Sequence, residues 1–441
     1  MSGAGLILSA PKSGSGKTLI AAGLLRHLRK RGIAVAAAKA GPDYIDPTFH
    51  TRASGAPCIN LDPWAMRPPT LAGAVTELES RAELVLCEGV MGLFDGAGPD
   101  GETGSTAELA RITGWPVVLV VDASGQGASI AALIAGFARH DPQVPLAGVI
   151  LNRVASPRHR ALLIEAIDRH LPALPVLGAL SRSRSLAFAG RHLGLVPASE
   201  EIEAVETIID GAATAIGADF DLGRLIAFAR PSLCPSGIGV PGLPPLGHTI
   251  AVARDDAFLF SYEAVLSGWR RQGTEISFFS PLADEAPDPH AGAVYLPGGY
   301  PELHAGRIAA SRRFLSGLRE AATSGKTIYG ECGGYMVLGE TLTGADGRTH
   351  RMAGLLPLAT SFAEPRRHLG YRSATLLGSG ALGEAGTRFR GHEFHYATIV
   401  EEGDADRLFS IADASGNDLG HAGLRRGGIA GSFVHLIDRA D

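Results

Sequence analysis

Cysteine is scarce: the chain of 441 residues has four, at 58, 87, 234 and 332. They are too few and too scattered for a disulfide framework, and no C-x-x-C pair is present to hold a metal or a redox couple. Lysine is scarcer than its usual share, since of 40 basic residues only Lys12, Lys17, Lys30, Lys39 and Lys326 are lysine. A net charge of −5 provides no overall basic field, and the one basic cluster, at 26–31, reads as a solvated helix face. Nucleic acid is therefore not an expected partner. No uninterrupted apolar run approaches the ~20 residues that cross a bilayer. The chain also enters an apolar strand pattern at 6–10 in place of a cleavable leader. The expectation is a globular, cytoplasmic protein without a membrane partner. Its length and its 45% hydrophobic content are enough for two or three domains.

What is present is organised around residues 12–18, Lys-Ser-Gly-Ser-Gly-Lys-Thr. An apolar strand pattern precedes them and a helical pattern over 19–31 follows. Lys12, Ser13, Gly14, Ser15, Gly16, Lys17 and Thr18 thus form a strand–turn–helix phosphate loop. Its glycines let successive N–H groups turn inward toward ATP phosphates at a helix N-terminus. Lys17 would reach the β/γ-phosphates and Thr18 would offer its hydroxyl to Mg²⁺. Pro11 stands where the commonest spacing has its first glycine, so the loop is a variant. Two of five lysines in a chain that otherwise uses arginine mark a place where a compact ammonium is required. Lys12 has two readings: a lysine acting across a homodimer, as in some ATPases, or a solvated loop residue.

Further strand patterns at 33–39, 83–88, 117–122 and 147–151, with helical patterns at 106–113 and 130–139, make an α/β alternation and a mostly parallel sheet. Ligands of such a sheet gather at the strands' carboxyl ends, where Asp43, Asp46, Glu88, Asp122 and Asn152 fall. Asp43 and Asp46 lie in a turn bracketed by Pro42 and Pro47. With Glu88 they are the acids expected at Mg²⁺ and the transferring phosphoryl group, and Thr18, Asp43 and Glu88 are the expected metal ligands. The alternative makes Asp43 and Asp46 ordinary turn formers. Asn152 could turn its amide to a nucleobase edge. Residues 230–247, RPSLCPSGIGVPGLPPLG, are too rich in proline and glycine for helix or strand. They divide a first domain, 1–230, from a second α/β domain, 248–441, with 231–247 as linker. In the second domain strand patterns recur at 250–253, 276–279, 293–296 and 327–329 and helical ones at 258–271 and 307–323. Antiparallel strands are expected over 352–400.

In the second domain Gly330-Glu331-Cys332-Gly333-Gly334 follows a strand and precedes a helical run, the form of a nucleophile elbow. A helix N-terminus and adjacent N–H groups would favour Cys332 as thiolate, whereas Cys58, Cys87 and Cys234 read as small buried or loop residues. His435 is the candidate base, with His392 and His395 of GHEFHY as rivals. The stretch PGGYP at 297–301 could supply backbone N–H groups, Gly299 together with Gly333, to an oxyanion hole. A tight turn would explain the same glycines.

In their order and spacing APKSGSGKT, GPDYIDPTFH, CEGVMGLFDG, GVILNRV, RHLGLVPASE, ARDDAFLFSY, YLPGGYPELHA, GECGGYMVLGE, GHEFHY and SFVHL resemble the cobyrinic and hydrogenobyrinic acid a,c-diamide synthases along the whole chain. The resemblance implies a P-loop synthetase domain related to dethiobiotin synthetase, fused to a class I glutamine amidotransferase domain. It implies Lys17 and Thr18 as the ATP–Mg²⁺ pair, Asp43, Asp46, Glu88 and Asp95 as synthetase-site acids, Asn152 on the nucleotide side, and Cys332 with His435 as the glutaminase pair. The substrates implied are a corrinoid acid, L-glutamine and ATP, and Arg182, Arg184, Arg191 and His192 are candidates for its untouched carboxylates. One departure stands out: class I enzymes commonly carry glutamate two residues beyond the histidine, and here that residue is Ile437, followed by Asp438. Two readings compete. One is a sister tetrapyrrole amidotransferase, either nickel-sirohydrochlorin diamide synthase or cobyric acid synthase, the latter disfavoured by GPDYIDPTFH. The other is a ParA-like ATPase, which would have no use for the elbow.

Overall fold

The structure, a computed structural model, describes residues 3–98, 100–183, 202–235 and 242–441. It separates into two compact units, Met1–Trp64 with Leu71–Gly239, and Ala65–Thr70 with Val240–Asp441. The excursion 65–70 departs from the contiguous first domain expected from sequence. Its cause is the buried carboxylate of Asp438, which needs donors and finds them in the backbone N–H (2.8 Å) and guanidinium (2.9 Å) of Arg67.

In the first unit the strands are β1 (Ala4–Ser9), β2 (Val35–Ala40), β3 (Ile59–Leu61), β4 (Leu84–Glu88), β5 (Val117–Asp122), β6 (Leu146–Val154) and β7 (Val176–Ser181). Between and after them run α1 (Lys17–Lys30), α2 (Asp46–Ser54), α3 (Pro68–Ser80), α4 (Thr106–Thr113), α5 (Ile130–His140), α6 (Pro157–His170), α7 (Ile202–Asp219) and α8 (Leu222–Phe228). Among the described residues the strands form one parallel sheet in the order β3-β2-β4-β1-β5-β6-β7. Sequences such as LILS, VVLVVD and LVLCE lack polar alternation because helices cover both faces of such a sheet, and their side chains are almost wholly buried. After β1 the chain first adds strands on one side and then crosses to the other, so the carboxyl end of β1 is a switch point where a ligand crevice opens.

Two local expectations change. Residues 43–47 are not an open turn throughout, because α2 already starts at Asp46 with Pro47 in its first turn. The cluster 26–31 is not all solvated: Arg26 is buried and donates to Glu206 (2.7 Å) and Asp210 (2.6 Å) of α7, and to the Arg52 and Ala53 carbonyls of α2.

The second unit contains β8 (Thr249–Ala253), α9 (Glu263–Arg271), β9 (Glu275–Phe279), β10 (Ala293–Leu296), α10 (Ala305–Ala310), α11 (Arg312–Thr323), β11 (Thr327–Glu331) and α12 (Gly333–Leu338). It continues with β12 (Thr341–Thr343), β13 (Thr349–Arg351), β14 (Leu358–Ser361), β15 (His368–Leu376), β16 (Arg388–His395), β17 (Thr398–Glu402), β18 (Asp406–Ala412), β19 (Asp418–Arg426), β20 (Ile429–Ser432) and β21 (Val434–Arg439). The large sheet runs β21-β16-β15-β18-β19-β20-β11-β10-β8-β9, parallel from β20 to β9 and antiparallel in the remainder; β13-β12-β14-β17 form a smaller sheet. Antiparallel strands extend beyond the expected 352–400 to the C-terminal β21. The helix expected at 307–323 is two, parted at Ser311, and the one expected from 258 begins at Glu263.

The described ends of 231–247 are each fastened to a unit. Ser232 donates its N–H and hydroxyl to Glu79 at 2.7 and 2.9 Å in the first. In the second, the Pro244 carbonyl accepts from the Trp269 indole at 3.1 Å and Leu243 and Leu246 are buried.

Candidate active sites

The loop after β1 turns through Gly14 (φ 76°) and Gly16 (φ 92°), a backbone conformation that costs glycine little. Gly16 also has no room for a side chain, because a Cβ there would stand 2.2 Å from Asn152 Nδ2. Asn152, near the end of β6, donates that amide to the Ser15 carbonyl (2.9 Å) and accepts from the Arg153 N–H (2.9 Å). The amide expected to face a nucleobase is thus engaged in holding the loop, because β6 ends beside it. The Ser15 hydroxyl closes the loop on the Lys12 carbonyl, while the Lys12 side chain is exposed.

Behind the loop lies a compact charged cluster. Lys17 is buried and its ammonium donates to the Met91 carbonyl at 2.6 Å. Burial lowers its pKa from the ordinary lysine value, against the opposing field of Glu88. Thr18 Oγ1 lies 2.8 Å from Glu88 Oε1 and 3.4 Å from Asp46 Oδ2. Lys39, from β2, reaches into the carboxylates: 2.6 Å to Asp46, 3.2 Å to Glu88 and 3.9 Å to Asp43. Burial alone would depress its ammonium, but the summed fields of Asp46, Glu88 and Asp43 hold its pKa above the ordinary value. For Glu88 the balance runs the other way: burial would raise it, but Lys39, then a 2.5 Å bond to His50 and the field of Lys17, hold it well below the carboxylate range. Asp43 differs. Burial, reinforced by neighbouring Asp46, pushes it up to about 7.

Asp43, expected beside Thr18 and Glu88 as a metal ligand, turns one oxygen to the N–H groups of Ile45 (2.8 Å) and Asp46 (3.3 Å) at the start of α2. The helix start at 46 gives Asp46 the position against Thr18 instead. Asp95 accepts from the Gly92 N–H at 2.9 Å and so shapes the loop after β4. Lys17, Thr18, Lys39, Asp43, Asp46 and Glu88 line a cavity of about 800 Å³, as do Asn152, Arg153 and Arg182. Arg184, Arg191 and His192 lie outside the described residues.

In the second unit β11 runs directly into the elbow. Cys332 has φ 49° and ψ −106°, a strained conformation for a non-glycine residue. Its thiol lies 3.8 Å from the Phe394 carbonyl. His435, fully buried on β21, pairs in register with His392 of β16. Gly298 lies against both partners: a Cβ there would stand 2.3 Å from His435 Cε1, 3.1 Å from its Nε2 and 3.2 Å from Cys332 Cβ. Strand order therefore brings together Cys332 and His435, which lie far apart in the chain, at the end of β10. The N–H groups of Gly333 and Gly299 are directed at the sulfur and favour its thiolate, but burial and the field of Glu302 outweigh them and push the thiol well above its ordinary value. The N–H groups expected from sequence to favour the thiolate are thus present, and burial opposes them. Burial, with the fields of His392 and His395, lowers His435 to about 3, so its imidazole is neutral.

The rival histidines are otherwise placed. His395 bonds the Ala397 carbonyl and Glu393, each at 2.8 Å, and stacks on Phe433. His392 is lowered to about 4 by burial and Arg372, and packs edge-on to Tyr371. Burial pushes Cys87 up to about 12 and Cys58 well above its ordinary value.

Sequence reasoning did not assign roles to Lys39, His50, Met91 and Glu331. Lys39 carried a signal, being one of five lysines and the polar residue in the strand VAAAKA. His50, Met91 and Glu331 lie within the motifs GPDYIDPTFH, CEGVMGLFDG and GECGG, but nothing in those motifs gives them their partners.

Residues 6–195 match the CobQ/CobB/MinD/ParA nucleotide binding domain, and residues 249–441 match the CobB/CobQ-like glutamine amidotransferase domain. The chain is 54% identical to a hydrogenobyrinate a,c-diamide synthase of Brucella anthropi, over 98% of each chain. Against proteins of the same name it is 53% identical in Rhizobium meliloti, over 98% of this chain and 99% of the relative, and 52% identical in Rhodobacter capsulatus, over 98% of each. Among the described residues no helix is long and apolar enough to cross a membrane.

Proposed function

The chain belongs to the hydrogenobyrinate a,c-diamide synthase family, and from that premise we propose that it amidates the a and c side-chain carboxylates of a corrinoid acid in cobalamin biosynthesis, using ATP and glutamine. The observation that carries this reading is the presence on one chain of two separate kinds of chemistry: the buried Lys17–Thr18–Glu88 cluster behind a phosphate loop, and Cys332 with His435 at a strained elbow. A carboxylate is a poor electrophile, so ATP first converts it to an acyl phosphate, which ammonia then displaces. Ammonia is mostly protonated near neutral pH; release from glutamine through a thioester at Cys332 supplies it in neutral form.

In the first unit, loop N–H groups and Lys17 hold the phosphates, and Lys39 offsets the charge of the surrounding acids. The oxygens of Thr18 and Glu88 are hard donors 2.8 Å apart. A hydroxyl and a carboxylate are the oxygen donors that Mg²⁺ takes. These two would hold Mg²⁺, with Asp46 nearer than Asp43, and the ion would neutralise charge on the transferring phosphoryl group. Asp43, Asp46 and Asp95 belong to the phosphoryl-transfer side, and Asn152 to the nucleotide side through its hold on the loop. Arg182, which borders the cavity, would pair with a substrate carboxylate. In the second unit His435 takes the proton of Cys332, and the N–H groups of Gly299 and Gly333 receive the oxyanion. Exposed Lys12 fits a solvated loop residue and requires no homodimer. The cytoplasm, which supplies both ATP and glutamine, is the proposed compartment.

The test is mass spectrometry of hydrogenobyrinic and cobyrinic acids incubated with ATP, Mg²⁺ and glutamine. A diamide that depends on all three supports the reading. ATP turnover that is indifferent to glutamine and to either acid refutes it.

A further inference from the structure

A histidine that draws a proton through Nε2 needs an acceptor at Nδ1, both to fix its tautomer and to offset the charge it gains. The position two beyond His435 is Ile437, buried and with no polar atom in its side chain. Asp438 is committed elsewhere: its oxygens take the backbone N–H and guanidinium of Arg67 and the N–H of Arg439. A carboxylate approaches the ring from a different strand. Glu331, the last residue of β11 and the neighbour of Cys332, has Oε2 3.9 Å from His435 Nδ1. Tyr295 of β10 donates its hydroxyl to Oε2 at 2.7 Å, and the Leu436 N–H of β21 donates to Oε1 at 3.1 Å. The carboxylate is thus braced from two strands, and the second brace is the backbone immediately after His435.

On the glutaminase reading of Cys332 and His435, we infer that Glu331 is the positioning residue of His435, replacing the acid that other class I enzymes carry after the histidine. The gap of 3.9 Å closes by about 1 Å as charge develops, as resting-state catalytic contacts commonly do. The Cys332 proton then passes to His435 Nε2 while Glu331 accepts the Nδ1–H. The thiolate adds to the glutamine side-chain carbonyl, and the C–N bond breaks as His435 returns the proton to the departing ammonia. Water cleaves the thioester to glutamate and restores the thiol.

The surroundings oppose the charge that Glu331 would offset. Burial opposes charge on both the thiol and the imidazole, and His392 and His395 further oppose charge on His435, with Glu393 opposing them. Burial also pushes Glu331 itself up to about 7, against the hydrogen bonds from Tyr295 and the Leu436 N–H. Its charge therefore changes near neutral pH.

The experiment measures glutamate release by the full-length protein across pH. Glu331→Gln preserves shape and removes the charge. Its kcat should fall by about 10²-fold or more, the scale of general acid–base assistance, with the KM for glutamine little changed and the acid limb of the profile lost. Tyr295→Phe removes a hydrogen bond that favours the ionised carboxylate, so its acid limb should move to higher pH while the plateau remains. Near-normal kcat in Glu331→Gln, or lower activity with an unmoved acid limb in both variants, would mean that Glu331 only joins strands, and would overturn the inference. If Cys332→Ala hydrolyses glutamine as fast as the unaltered protein, the glutaminase reading beneath it falls instead.

Discussion

Replacing Gly298 by alanine adds one methyl group where Cys332 and His435 meet. That methyl would lie 2.3 Å from His435 Cε1, whereas ordinary contact begins near 3.4 Å. The imidazole must retreat by about 1 Å, a displacement that costs a reaction roughly 10²-fold, or about 2.7 kcal/mol of transition-state stabilisation. Little relief is available, because His435 is fully buried and Cys332 Cβ is itself only 3.2 Å from the new atom. The fold should survive, since overpacking by one methyl typically costs about 1–3 kcal/mol. Two assays on one preparation check this: glutamate release, expected to fall by about two orders of magnitude, and diamide formation from concentrated ammonium salt, expected to persist. Glutamine hydrolysis at the normal rate would refute the placement of His435 as the base. Loss of both activities in a folded protein would refute the separation of the two chemistries.

Cys332→Ala should lose glutamine-dependent amidation and keep ammonium-dependent amidation, increasingly as pH rises toward the ammonium pKa; normal activity with glutamine would exclude Cys332 as nucleophile. Glu88→Gln should abolish amide formation while leaving glutamine hydrolysis in the other unit at least partly intact, and unchanged synthetase turnover would remove Glu88 from the site. The same residue bears on acid stability. Its native pKa lies below the unfolded value, so its contribution is present above about 4.5 and is lost as pH falls toward the native value; Glu88→Gln should lack that component in acid unfolding followed by circular dichroism. Mixing Lys12→Ala with Lys17→Ala subunits should restore no activity, since Lys12 is exposed, and recovery well above either parent would establish a lysine acting across a dimer.

The first site was legible where its parts are local. Gly14, Gly16, Lys17 and Thr18 are contiguous, and a strand before them with a helix after leaves the backbone few other courses. Glu88 and Asn152 could be placed at strand ends because buried parallel strands are recognisable apolar runs. The choice between Asp43 and Asp46 was not legible. It depends on α2 starting at residue 46, which turns one carboxylate toward Thr18 and the other toward backbone N–H groups. Nor was the charge state of the cluster, since Lys39, His50 and Glu88 are adjacent in the fold but not in the chain.

At the second site the elbow around Cys332 was recognisable from its small neighbours, yet the opposing effect of burial was not, because burial is not written in the local glycines. Glu331 shows the limit most plainly. It precedes Cys332 and belongs to the elbow in sequence, but its nearness to His435 requires β20 to lie between β19 and β11 and the C-terminal β21 to return past β16. By itself the sequence determined the α/β alternation of both halves, the phosphate loop, the elbow and the family, since each is written in short-range pattern and spacing. Only the tertiary structure decided which acid faces Thr18, which lysine neutralises the cluster and which carboxylate approaches His435. Those pairings come from strand order and burial, which bring distant side chains within a few ångströms and set their charge through the removal of water.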